Sequence, residues 1–226
     1  MDIQLYIRVT VQLLLFPIVI GALLFLPAGT FDYWQAWVFA AVFFACSVAM
    51  TIWLMIKDPQ LLERRMSAGP GAEKEATQKI IMVFALIFFF GMAIFPAIDH
   101  RFGWSDVPAS LVIFGDLLIA LSYLGFFLVF RENTYGAATI QVEENQRVIS
   151  TGPYALVRHP MYAAALILML GIPLALGSWW GLLLMIPSVA VIIWRLLDEE
   201  RFLSQNLPGY TEYKRKVRYH LIPLVW

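Results

Sequence analysis

The sequence predicts an all-α, polytopic integral membrane protein of about six spans, the last two a helical hairpin, with N- and C-termini cytoplasmic. Three observations carry this. Of its 226 residues 61% are apolar and only 14% charged, where a soluble domain has about 45–50% and about 25%. The apolar residues fall into six long runs, and Lys and Arg are distributed very unevenly between the segments that join them.

The runs cover residues 9–28, 33–56, 80–98, 107–130, 161–178 and 179–194. The first four approach or exceed the ~20 residues that a helix needs to cross the hydrocarbon core. The last two are shorter and joined by the turn Gly177-Ser178-Trp179-Trp180-Gly181, which makes them a hairpin. Helices are expected throughout because backbone groups in lipid must be satisfied within their own segment. The first run does not read as a signal peptide: it is long, only Arg8 precedes it, and another span follows. Cys46, the one cysteine, reads as a buried thiol in an apolar run. One charged residue, Asp116, is expected inside the six spans. An intramembrane carboxylate reads as functional or as a packed, hydrogen-bonded group.

With the N-terminus in the cytoplasm, Arg8, Lys57, Arg64, Arg65, Lys74, Lys79, Arg131, Arg147, Arg158, Arg195, Arg201, Lys214, Arg215, Lys216 and Arg218 fall inside, and only Arg101 outside. This is the asymmetry that sets orientation. Trp34, Trp37, Trp104, Trp179 and Trp180 then mark outer span ends. Sixteen cations balance sixteen anions, which argues against a nucleic-acid partner and leaves membrane lipids as the surroundings.

Polar residues collect in three inner segments. In the connector 57–79, Asp58 and Pro59 predict a helix start, Arg64 and Arg65 an interfacial face near anionic headgroups, and Gly69-Pro70-Gly71 a break. The stretch 133–151 is irregular, with turns at Gly136, Asn145 and Gly152 and a brief extended piece at 139–142. It leads into Gly152-Pro153-Tyr154 and Arg158-His159-Pro160-Met161-Tyr162. Pro160 suits the first residue of a helix, so Arg158 and His159 sit where free N–H groups and the positive dipole end favour an anion. Tyr154 and Tyr162 flank that point and could stack on an aromatic ring. The same residues also fit a plain basic interfacial cap. The third segment opens with Arg195, Asp198, Glu199, Glu200 and Arg201, with Arg195 and Glu199 one helical turn apart. The hairpin returns this cluster beside Arg158 and His159, where it could bind a zwitterionic ligand or form internal salt bridges.

Together with Gly209-Tyr210 and Tyr213, these motifs resemble the isoprenylcysteine carboxyl methyltransferase family and the broader group that includes phospholipid methyltransferases. The resemblance covers the chain from Arg131 onward. Before that it amounts to a multispan layout and the stretch 58–65. It implies a membrane enzyme using S-adenosylmethionine in a cytoplasm-facing pocket, with a lipophilic or lipidated acceptor, foremost the carboxylate of a prenylcysteine-like molecule. It also implies a division into N-terminal transmembrane helices, 1–130, and a cofactor-binding catalytic region, 131–226. His159, Pro160 and Tyr162 would line the cofactor, with Tyr154, Val148 and Ile149 beside them. Glu199 or Glu200 would take the acidic cofactor-binding place and Gln141 the family's glutamine. Arg195 would orient the acceptor, with Arg158 as its catalytic companion. Two departures stand out: Gln146 or Arg147 replaces a histidine before Val148-Ile149, and Ala163 or Ala164 replaces a small residue that is usually glycine. No metal is implied.

Methyl transfer from a sulfonium is an in-line displacement helped by alignment and desolvation. A carboxylate acceptor needs no general base, whereas a phospholipid amine or a small thiol must lose a proton, for which Glu199, Glu200 or His159 is available. Two other classes fit the layout. A membrane reductase using a nicotinamide nucleotide would need a phosphate site, and no Gly-rich loop is visible. A small transporter or structural subunit would make Asp116 the sensitive residue.

Overall fold

A computed structural model describes residues 3–73, 75–143 and 145–226. Lys74, one of the inner cations, lies outside the described residues. The chain is helical, and the described residues contain no strand: residues 139–142 join no ladder. Helix α1 spans Ile3–Ala28, α2 Trp34–Lys57, α3 Pro59–Met66, α4 Ala76–Phe102, α5 Ala109–Glu132, α6 Pro160–Ala175, α7 Met185–Asn206 and α8 Tyr210–Lys216. Short 3-10 turns stand at Pro70–Ala72, Gly152–Ala155 and Trp180–Leu184.

Among the described residues, five helical segments are long and apolar enough to cross a membrane: α1, α2, α4, α5 and Trp180–Asn206, which includes α7. The sixth predicted span, α6, has 16 residues. At 1.5 Å per residue it reaches about 24 Å, short of a ~30 Å hydrocarbon core. Helix ends also differ from the predicted runs. Helix α4 extends to Phe102 and so takes in Asp99, and Asp116 is therefore not the lone acidic residue of the apolar helices. Hydropathy alone cut the run at Ile98, but a carboxylate with partners costs little at a helix end. Cys46 is only partly buried.

Local chemistry explains the helix starts near the polar end. The Asp58 carboxylate accepts from Leu61 N at 2.9 Å and Pro59 occupies the first turn, capping α3 as predicted. Pro160 opens α6 behind His159. The predicted turn residues Asn145 and Gly152 both adopt positive φ.

The core is a layer of Leu24, Phe39, Met92, Ile119 and Ile172 drawn from five helices. Within it, α6 packs mainly against α5, and α7 packs mainly against α4 rather than against α6. The hairpin is thus splayed between two neighbours. The reason lies in small residues on the α5–α6 seam: a Cβ added at Gly115 would lie 2.3 Å from Ala175 N, and one at Gly171 would lie 2.9 Å from Gly115 O. Larger residues would separate the two backbones.

At the end away from the charged segments, a polar knot ties the hairpin turn to α4. Asp99 accepts from Ser105 Oγ at 2.6 Å and from Ser178 Oγ. Those hydroxyls accept in turn from Trp179 N at 3.0 Å and Gly181 N at 2.8 Å. Tyr33 stacks on His100 with ring centroids 3.9 Å apart and donates to Leu176 O at 2.6 Å. Replacing Asp99 by Ala orphans the buried Ser178 hydroxyl and the half-buried Ser105 hydroxyl, a loss of about 1–3 kcal/mol. We expect Asp99→Ala to lower the thermal unfolding temperature in detergent while leaving ligand binding at the opposite end unchanged.

A cavity built on the Arg-His-Pro turn

The opposite end holds an open cavity of about 780 Å³ of empty space, mouth included. Its walls come from the 133–149 loop, the start of α6, the second half of α7, and α8.

The floor is the Arg158-His159-Pro160 turn, and the chain after α7 fixes it. Tyr219 O accepts from Arg158 N and His220 O from His159 N, each at 2.9 Å, so the tail runs alongside the turn. Glu200 then gathers two cations and two imidazoles: Arg158 Nε lies 2.8 Å from it, His159 Nε2 3.1 Å, Lys214 Nζ 3.3 Å and His220 Nδ1 3.7 Å. Burial, with the Arg158 charge nearby, pulls the His220 imidazole below its usual range, so it stays neutral at pH 7. The Glu200 carboxylate faces this cluster and not the cavity.

Glu199 does face the cavity. Consecutive helix residues point about 100° apart, which separates the two acidic neighbours. Glu199 Oε2 accepts from the Tyr162 hydroxyl at 2.6 Å. Around it stand Tyr154, Tyr210 and Tyr213. Tyr213 donates to Tyr154 O at 2.8 Å, and Asn133 Nδ2 donates to the Tyr154 hydroxyl at 2.8 Å. Burial pushes the Tyr154 phenol up to about 12, against the lowering effect of Asn133. Burial raises Tyr210 and Tyr213 as well, so all three are neutral hydrogen-bonding groups at physiological pH. The Tyr210 hydroxyl is buried and has no hydrogen-bond partner among the described residues.

The roof is the 133–143 loop, whose carbonyls lack helical partners and need donors. Arg64 Nη1 donates to Thr134 O at 2.8 Å, with Nε 3.5 Å from Glu143. Arg65 Nη1 donates to Gly136 O at 3.2 Å, and its guanidinium lies 4.7 Å over the Phe130 ring. The pair expected to face headgroups therefore clamps the roof instead. Gln141 and Gln146 both line the cavity. Gln141 Nε2 donates to Glu143 Oε1 and Gln146 Oε1 accepts from Glu143 N, each at 2.9 Å.

Of the residues singled out in the sequence, Gln141, Val148, Ile149, Tyr154, Arg158, His159, Pro160, Tyr162 and Glu199 line this one cavity. Glu200 and Arg195 stand behind its walls. Arg195 is buried, with Nη2 2.7 Å from Glu73 Oε1 and 3.0 Å from Ala138 O. Asp116 lies elsewhere, buried in α5, and neither of its oxygens has a hydrogen-bond partner among the described residues. Sequence reasoning missed Glu73, Lys214 and His220. The chain has three histidines, so scarcity was a usable signal for His220. Nothing local distinguishes Glu73 from Glu63 or Glu75. Among the described residues, no group of three or more His, Cys, Asp and Glu side chains is placed to hold a metal ion.

A polytopic helical bundle with a tyrosine-lined, charge-bearing cavity at one end is the class that fold and site define. Residues 110–208 match the profile of the phospholipid methyltransferase family. That stretch carries α5, the Arg-His-Pro turn and the Glu199-Glu200 pair. It is also similar to the cobalt-zinc-cadmium resistance protein CzcN of Cupriavidus metallidurans, with 30% identity over 106 residues, 44% of this chain and 47% of the relative. A second relative is the nickel-cobalt-cadmium resistance protein NccN of Alcaligenes xylosoxydans xylosoxydans, 26% identical over 122 residues, 50% of this chain and 51% of the relative. The matches thus span about half the length of these curated relatives.

Proposed function

We propose that the protein is an integral-membrane methyltransferase that takes its methyl group from S-adenosylmethionine and passes it to a lipophilic acceptor, foremost a prenylcysteine-like carboxylate. The observation that carries this is the cavity itself: within the family-matched stretch, one carboxylate, one helix N-terminus and several neutral phenols converge on a single open space.

The residues fit such a cofactor. Glu199 supplies a carboxylate for an ammonium group, with Oε2 steadied by Tyr162. The N-terminus of α6, with Arg158 at its edge, suits a carboxylate. The orphaned Tyr210 hydroxyl is a hydrogen-bonding group waiting for a partner. Tyr154 and Tyr162 offer ring faces to an aromatic base. When bound, the cofactor supplies an electrophilic methyl on a sulfonium. The chain's own residues bind, orient and exclude water, while Arg195 holds the acceptor. Fifteen of the sixteen Lys and Arg residues fall on the cytoplasmic side of the predicted topology, which supports a cavity open to the cytoplasm.

The family's description favours a second acceptor class, a phospholipid amine. An amine, like a small thiol, must lose a proton, for which His159 and Glu199 are the candidate bases in the cavity lining. Membranes containing the protein, incubated with isotopically labelled S-adenosylmethionine and analysed by mass spectrometry, test both readings. Label in a methyl ester of a prenylated cysteine is the expected result. Label on a phospholipid headgroup selects the amine reading, and no protein-dependent label contradicts both.

A further inference from the structure

Glu73 lies in the connector between α3 and α4, outside the matched stretch. Its side chain is fully buried, and its ion-pair partner Arg195 is 122 positions away. A buried carboxylate carries a heavy desolvation penalty unless its oxygens are used, and here both are. Oε1 takes Arg195 Nη2 at 2.7 Å, and Oε2 takes Ile140 N at 3.3 Å. The same Nη2 donates to Ala138 O at 3.0 Å. One carboxylate therefore holds both a guanidinium and the stretch of roof beside Thr139 and Gln141, which line the cavity. Arg195 Nη1 is also buried, with no hydrogen-bond partner among the described residues. Tyr162, which lines the cavity, bonds to Glu199, one turn along α7 from Arg195. A guanidinium is planar, so fixing one edge fixes the direction of the other.

We infer that Glu73 is a positioning residue for the acceptor: it holds Arg195 by Nη2 so that Nη1 is presented, already oriented, to an anionic group on the acceptor. This rests on the methyltransferase reading above. It also makes the connector part of the working unit. Without Glu73 the guanidinium turns, and the 138–140 roof loses the bond that ties it to α7.

The test uses the full-length protein in detergent as wild type, Glu73→Gln, Arg195→Gln and the double variant. Three probes are offered as acceptors: an amine-blocked S-farnesylcysteine, phosphatidylethanolamine vesicles and dodecanethiol. For whichever is turned over, Glu73→Gln should raise the acceptor KM and lower kcat/KM by on the order of tenfold to a hundredfold, the range of a misplaced positioning group. The S-adenosylmethionine Kd should rise by clearly less than the acceptor KM, because only the roof edge loosens, and the double variant should be no worse than Arg195→Gln. Additive losses, or equal damage to cofactor and acceptor binding, overturn the inference. Amide exchange at Ile140 needs no acceptor: faster exchange in Glu73→Gln supports the clamp, and unchanged exchange overturns it. If the wild-type protein binds no S-adenosylmethionine while Ile140 exchange still follows Glu73, the clamp is supported and the methyltransferase reading is the part that fails.

Discussion

Replacing Glu200 by Ala should abolish cofactor binding and markedly destabilise the protein, although Glu200 does not line the cavity. This carboxylate is the shared counter-charge of Arg158 at 2.8 Å and Lys214 at 3.3 Å, and it also bonds His159 at 3.1 Å. Arg158 and His159 are both buried. Removing one partner of a buried pair leaves an uncompensated charge, a loss of about 3–5 kcal/mol. Here the loss falls on the turn that starts α6, so the free N–H groups meant for a ligand move with it. Glu200→Gln keeps the shape and the hydrogen bond to His159 but not the charge, and should fall between wild type and Ala. Thermal unfolding in detergent, paired with binding of labelled S-adenosylmethionine, reads both effects. A stable Glu200→Ala protein that binds the cofactor normally would show that the cluster is decoration.

The second large effect is expected from Gly115→Ala, a single added methyl group. Its Cβ would stand 2.3 Å from Ala175 N, 2.8 Å from Leu174 C and 2.9 Å from Ala175 Cα. All three are backbone atoms, so no side-chain rotation relieves the clash, and α6 must move away from α5. Overpacking of this kind costs about 1–3 kcal/mol, and because α6 begins at the Arg-His-Pro turn its displacement should also weaken cofactor binding. Gly91→Ala is the matched control: its Cβ would meet only Leu184 Cδ1 at 3.5 Å, an ordinary contact. We expect it to melt within a degree or two of wild type, since an exposed or accommodated change stays within about 0.5 kcal/mol. Equal melting temperatures for the two variants would contradict the close-packed seam.

What could be read from the chain follows from the range of the forces involved. Asp58-Pro59 and Pro160 announce helix starts because capping is settled within one turn. The meeting of Arg158 and His159 with the Glu199-Glu200 region was legible because a hairpin links them. Which acidic residue faces the cavity was not, since neighbouring helix positions look alike in one dimension. The structure separates them, Glu199 to the cavity and Glu200 to the cations. The 133–149 loop folds both Gln141 and Gln146 into the lining, a placement that an irregular stretch does not announce in sequence. Arg64 and Arg65 look interfacial in the sequence because hydropathy cannot see the carbonyls of Thr134 and Gly136 that accept their hydrogen bonds. The splay of the hairpin was hidden for a similar reason: it depends on how closely Gly115 and Gly171 let two backbones approach. Glu73 and Arg195 meet across 122 positions, and no local pattern encodes such a pair.

Equilibrium binding of radiolabelled S-adenosylmethionine to the purified protein tests the central claim most directly. The wild-type protein should bind one equivalent saturably. His159→Ala and Glu199→Ala should each weaken binding by about tenfold or more, as expected when a hydrogen bond to a charged group is lost. No saturable binding by the wild type, or unchanged binding in both variants, would contradict the account.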